Sequence, residues 1–270
     1  MVIAAGGLGT RVADWAQLLP KEFQPVNGRP ALLHVLDELA DAGARDAALV
    51  YHPYYEPFIG WIRHALRPTA TANYRTLAGL PAANGIEPMM PMRFVRQHGT
   101  YADITSVLNG AAVLPAGPLF VVFADNLYPD TNALALLREV PDNAAAVLAR
   151  PFDLEHAARR GVIITAGTGQ HDLMDFMVEK PELSEAERLL ATYGSHRLRL
   201  LEGRFRISTE LLAHLRTRAQ RARTREPRLS EQLAAYTRLR PVHVITTLSP
   251  VIDLGAPSDQ HLMMPSRAAA

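Results

Sequence analysis

The sequence predicts an α/β fold: a doubly wound, mostly parallel sheet with helices on both faces. Three observations carry the expectation. Short apolar runs alternate with amphipathic stretches along the chain, as strands alternate with crossover helices. One run, Leu119–Ala124, is apolar throughout, the character of a strand buried on both faces. The 270 residues, 48% of them hydrophobic, suffice to bury the core of one large domain of this kind.

Met1–Ala4 reads as the first strand, running into GGLGTR. Pro30–Ala42 reads as a helix, with proline at its first position, Leu32, Leu33, Leu36 and Leu39 on one face, and Gly43 as its stop. Ala47–Tyr51 is a strand and Glu56–Leu66 a helix. Residues 68–92 are proline-rich and aperiodic, a long loop or flap. Strand Met92–Arg96, helix Ile104–Leu114 and strand Leu119–Ala124 follow. Later strands are expected at Ala145–Ala149, Val162–Thr165, Phe176–Val178 and Val242–Leu248, with GTGQ (residues 167–170) turning between the second and third. Helices are expected over Ser208–Arg225 and over Ser184–Thr192, the latter capped by Ser184 with Glu187 three residues on. No repeat and no Gly/Ser-rich linker divides the chain. Residues 1–264 therefore read as one domain and 265–270 as a frayed tail.

Composition excludes several classes of function. A formal net charge of +1 supplies no global field for nucleic acid or an anionic membrane. No apolar run approaches the ~20 residues of a membrane span, and a cytoplasmic protein is expected. With no cysteine there is no disulfide framework, thiolate zinc site or cysteine nucleophile. The cations are skewed: 26 arginines against two lysines, Lys21 and Lys180. A lineage that writes its cations as arginine accounts for most of this. The two exceptions become candidates for places where a compact ammonium meets a phosphate in a tight space. Twelve arginines fall between Arg197 and Arg240, against four glutamates and no aspartate. They read as the solvated face of one or two helices or as a subunit contact, which leaves a homo-oligomer open.

Residues 4–11 read AAGGLGTR, a glycine turn after a strand, where backbone N–H groups can approach an anion. It is neither a Walker loop nor a dinucleotide fingerprint, since no Gly-Lys-Ser/Thr follows and GxGxxG fails at its last position. Ten residues beyond Arg11 comes Lys21, within LPKEFQPVNGRP.

Here the sequence resembles the nucleoside-diphosphate-sugar pyrophosphorylases, or sugar-1-phosphate nucleotidyltransferases, most of all the bacterial branch that makes UDP-glucose. The resemblance recurs at Val95-Arg96-Gln97, at FADN (residues 123–126), at Arg160-Gly161-Val162 in place of Tyr-Gly-Val, and at Val178-Glu179-Lys180-Pro181. It continues at Gly203-Arg204-Phe205, which resembles a Gly-Arg-Tyr strand, at Leu229-Ser230-Glu231, and at Asp253-Leu254-Gly255-Ala256-Pro257. What it implies is a Rossmann-like nucleotidyltransferase fold and transfer of a nucleotidyl group from UTP or dTTP to a sugar 1-phosphate. Arg11 and Lys21 would be catalytic. Ala5, Gly6, Gly7, Gly9, Thr10, Gln97 and Ala102 would hold the nucleotide, with Gln97 reading the pyrimidine. Asp103, Asn126, Gly161, Glu179 and Lys180 would hold the sugar phosphate, and Asp125 and Asp253 would bind Mg²⁺. Both lysines fall on the family's functional lysines. Joining two anions calls for positive charge and in-line geometry rather than a covalent nucleophile, and none is evident.

The sequence also departs from the family. Ala102-Asp103-Ile104-Thr105-Ser106 stands where the family has Gly-Leu-Gly-His-Ala, and Asp103 reads first as a helix N-cap and second as a contact to a sugar hydroxyl or amine. Leu198 falls where an asparagine often meets the sugar, and Ala124 replaces a glycine. Another base, another phosphorylated metabolite, or a catalytically silent nucleotide-sugar-binding subunit therefore stays open.

Overall fold

A computed structural model describes residues 1–7, 19–65, 90–221 and 228–256. Residues 68–89 of the expected flap, the expected frayed tail, and Gly9, Thr10 and Arg11 lie outside the described residues.

Strand β1 (Val2–Ala5) is followed by a short hairpin, β2 (Pro25–Val26) and β3 (Arg29–Pro30). Helix α1 (Ala31–Asp41) starts after Pro30 and stops before Gly43, whose φ of 71° favours a residue without Cβ. Strand β4 (Ala47–Tyr51), helix α2 (Glu56–Ala65), strand β5 (Met92–Arg96), helix α3 (Asp103–Val113) and strand β6 (Leu119–Phe123) come next, within one residue of the periodicity. Then follow β7 (Asn126–Leu127), α4 (Ala133–Leu136), β8 (Ala145–Pro151), α5 (Leu154–Ala157), β9 (Gly161–Thr165) and β10 (His171–Glu179). The chain continues through α6 (Leu183–Tyr193), β11 (Leu198–Ile207), α7 (Thr209–Arg221), α8 (Leu229–Tyr236), β12 (Val242–Thr246) and β13 (Ile252–Asp253).

Nine strands form one sheet in the order β5-β4-β1-β6-β11-β8-β12-β10-β9. Seven share a direction, as a mostly parallel sheet requires. The two reversed strands, β10 and β11, lie inside the order, so five of the nine pairings are antiparallel and the sheet is mixed. The parallel block is β5-β4-β1-β6. Helices cover both faces. Ile3, Leu49 and Val122 pack under α1 and α2, while Val2, Val50, Val121 and Phe205 pack under α3, α7 and α8. Alternate residues of one strand serve opposite faces.

β11 needs the largest correction. All ten of its residues are buried, among them Arg199, Arg204 and Arg206, so three of the twelve clustered arginines belong to the sheet rather than to a solvated helical face. Each has partners there. Arg206 donates to the carbonyls of Leu137 and Val140, and Arg199 to Thr246 Oγ1. Two further corrections are local. Helix α6 begins at Leu183 behind Glu182, with no side-chain cap, so Ser184 sits inside it. Asp103 is the first residue of α3 and not its N-cap, which is Ala102.

The first half of β11 runs beyond the end of β6 and pairs there with β9. β9 and β11 thus form a wall above the carboxyl ends of the parallel block, where open α/β sheets bind ligands.

Candidate active site

A cleft of about 410 Å³ opens between that wall and the ends of β1, β5 and β6. Gly6 and Gly7 continue β1 into its floor, and Lys21 and Asp125 lie beside them. Gln97, Ala102 and Asp103 line one side. Asn126, Gly161, Glu179, Lys180 and Asp253 line the other. Of the expected site residues that are described, Ala5 alone is not in the lining. Its side chain is buried in the core under α1, and Ala4 faces the cleft instead.

The β6–β7 turn carries Asp125, and the ribbon of β7 with β13 brings Asp253 beside it. Asp253 pairs with Asn126, and the Leu254 N–H donates to the Asp125 carbonyl. The turn is held from behind. Arg204, fully buried, donates to the carbonyls of Phe123 and Asn126 on either side of it and to both oxygens of Glu38 on α1. Gly203 lets β11 come this close, since a Cβ there would stand 2.2 Å from Asn126 Oδ1.

Both acidic residues have internal counter-charges. Lys21 Nζ donates to Asp125, and the Lys21 side chain is only 7% exposed. Burial alone would lower the Lys21 pKa, but Asp125 and Glu22 outweigh it and push it up. Burial likewise works to raise Asp125, and Lys21 reverses that to hold it below the usual carboxylate range. Asp253 is raised by burial and by the charge of Asp125, though Arg160 donates to it at 3.1 Å. Arg160 also donates to Glu202 at 2.8 Å. Arg150 Nε stands 3.1 Å from the other Glu202 oxygen, at an angle that leaves both atoms without a hydrogen bond among the described residues. Burial nevertheless pushes Glu202 up to about 7, and Glu22, buried beside Lys21, also to about 7.

The acceptor side is more open. Lys180, in the left-handed region at φ 47°, sits 3.7 Å from Glu179, as does Arg228. Their side chains are 40% and 41% exposed. On the opposite wall Asp103 Oδ1 accepts from Ile104 N–H and from Leu229 N–H, tying the starts of α3 and α8 together. Gln97 Nε2 donates to the Ala102 carbonyl at 3.3 Å, and Ser106 donates to Gln97 Oε1 at 3.0 Å.

Among the described residues no group of three His, Asp or Glu is arranged to hold a metal ion. Two adjacent carboxylates, Asp125 and Asp253, suit a hard divalent cation of the Mg²⁺ kind, which takes one or two carboxylates and completes its shell from phosphates and water. Sequence reasoning missed Glu22, Arg160, Glu202 and Ser106. Glu22 was legible beside Lys21, and Arg160 as a cation in place of Tyr. Ser106 was visible only as part of the departure at residues 102–106, and Glu202 gave no signal before its partners were seen.

The sequence profile of the nucleotidyl transferase family matches residues 1–238. The chain belongs to that family. Among relatives of this nucleotidyl transferase, the UTP–glucose-1-phosphate uridylyltransferase YngB of Bacillus subtilis is 24% identical over 247 residues, 90% of this chain and 80% of YngB. The bifunctional protein GlmU of Xanthobacter autotrophicus is 30% identical over 210 residues, 75% of this chain but 41% of GlmU, so the chain spans less than half of that relative. A UDP-glucose pyrophosphorylase solved with UDP-glucose superposes with a TM-score of 0.75 at 20% identity, over 96% of this chain and 94% of the other, which shows the shared fold. No described helix is long and apolar enough to cross a membrane.

Proposed function

We propose that this nucleotidyl transferase moves a nucleotidyl group from UTP or dTTP onto a sugar 1-phosphate and releases pyrophosphate. One observation carries the reading: a single cleft collects the Gly6-Gly7 turn, the Lys21–Asp125 pair and Asp253 between Gln97 on one side and Glu179–Lys180 on the other. The uridylyltransferase relatives support the choice of substrates.

In the reaction a phosphate oxygen of the sugar phosphate forms a bond to the α-phosphorus, and the bond from that phosphorus to pyrophosphate breaks. Lys21 faces the charge that accumulates at the α-phosphate, and its partner Asp125 fixes its direction. The Gly6-Gly7 amides and Arg11 hold the departing phosphates. Lys180 holds the incoming phosphate, while Asn126, Gly161 and Glu179 meet the sugar and Gln97 the pyrimidine. Asp125 and Asp253 would hold Mg²⁺, which when bound supplies positive charge shared between the two substrates. Residues 1–264 form one catalytic domain in this reading, with neither nucleic acid nor membrane as partner.

The test is pyrophosphate release across the four nucleoside triphosphates with a panel of sugar 1-phosphates. UTP or dTTP with a hexose 1-phosphate should give the highest kcat/KM. A tenfold preference for a purine, or no release with any pair, would overturn the reading.

A further inference from the structure

We propose that Ser106 is a positioning residue for the nucleotide base: it pins the Gln97 amide so that the cleft accepts one pyrimidine and rejects the other. The proposal rests on Gln97 as the base contact.

The amide sits in a three-sided seat. Nε2 faces the Ala102 carbonyl, which can only accept, so the NH₂ half must point there. Oε1 therefore points the other way, where the Ser106 hydroxyl donates to it. Behind Oε1 lies the backbone of Gly6, so close that a Cβ on that residue would stand 2.4 Å from the oxygen and 3.3 Å from Ser106 Oγ. The Ser106 side chain is itself buried, on the first turns of α3, and has little room to give. What the seated amide still offers the cleft is one N–H of Nε2 and one lone pair of Oε1.

That leftover pair decides between the pyrimidines. Uracil and thymine present a ring N–H beside a carbonyl; cytosine presents a bare ring nitrogen beside an amino group. The two edges are donor–acceptor inverses. An amide held in one orientation matches one of them and sets like against like with the other. A buried polar group left unpaired in this way discriminates far more strongly than a lost apolar contact. The bond to Ala102 is long at 3.3 Å and holds weakly alone. Without the serine hydroxyl, the amide can draw away from the carbonyl, turn over and match either base.

The experiment measures Kd for UTP and CTP by titration calorimetry, without acceptor, in the full-length protein and in Ser106→Ala. Steady-state KM and kcat for both nucleotides and Tm accompany it. Expected is a wild-type preference for UTP of at least about tenfold that falls about tenfold in the variant, through Kd and KM more than kcat. A UTP preference that survives Ser106→Ala, whatever happens to Tm, overturns the proposal and leaves Gln97 as the base contact. Equal wild-type affinity for UTP and CTP also overturns it. A purine preference in the wild-type protein overturns the Gln97 reading and the proposal together.

Discussion

The floor of the cleft and its acceptor mouth each hold one of the two lysines, and they hold them differently. At the floor, Lys21 is almost fully enclosed and paired to Asp125, whose turn is itself clamped by Arg204. At the mouth, Lys180 is two-fifths exposed and stands 3.7 Å from Glu179, with Arg228 at the same distance. A buried charge with fixed partners needs no reorganisation when charge develops near it. An exposed one can move to meet a second substrate. A tight space around the ammonium therefore exists at Lys21, and would form at Lys180 only around a bound acceptor.

The strongest way to break the comparison is to remove the clamp. Arg204→Met takes the guanidinium from two turn carbonyls and from Glu38, which keeps the Leu134 N–H, and losing one member of a buried ion pair costs about 3–5 kcal/mol. In a chain of this size Tm should fall by roughly 6–20 °C. A calorimetric change under ~2 °C would mean that the floor is held by something else.

The next largest effect sharpens it. Lys21→Arg puts a broad planar group into an enclosed site, and misplacement on the order of 1 Å can lose ~100-fold in kcat with both substrates saturating. Lys180→Arg has room, so it should raise KM for the sugar phosphate by only ~10-fold and leave nucleotide binding intact. Equal losses in kcat for the two variants would erase the distinction between floor and mouth.

The smallest effect is in pH. Glu22 is raised by burial to about 7 against an unfolded value near ~4.3. A raised folded-state pKa means stability present below the unfolded value and lost as pH climbs through 7. Between pH 5.5 and 8 the wild-type protein should lose about 2 kcal/mol more than Glu22→Gln, roughly 4–8 °C in a thermal melt. Parallel curves for the two proteins would show that Glu22 is charged throughout.

Legibility followed the locality of the signal. β4 begins and ends where its apolar run does, because its burial is written in consecutive residues. The glycine turn, Lys21, Asp125, Lys180 and Asp253 were legible as an ordered set, and they line one cleft. The arginines of β11 were not, because what makes Arg204 a core residue is Glu38, 166 positions away. Helix α8 was missed too. Its start is secured by Asp103, 126 positions away in the chain, and no side chain of its own caps it. Ser184 fell one residue inside a helix whose boundary the local pattern defines only that closely.

The β7–β13 ribbon sets how this enzyme should fail under stress. It comprises two residue pairs, Leu127 with Ile252 and Asn126 with Asp253, and with the Leu254 N–H bond to the Asp125 carbonyl it holds the second acidic residue beside the first. Elements so short exchange their amide protons through local opening at free energies far below that of the whole sheet. Mild heat or denaturant should thus release residues 251–256 while β1, β4 and β6 stay protected. Catalysis would then fade by a reversible fraying step, before any cooperative transition is visible in the far-ultraviolet spectrum.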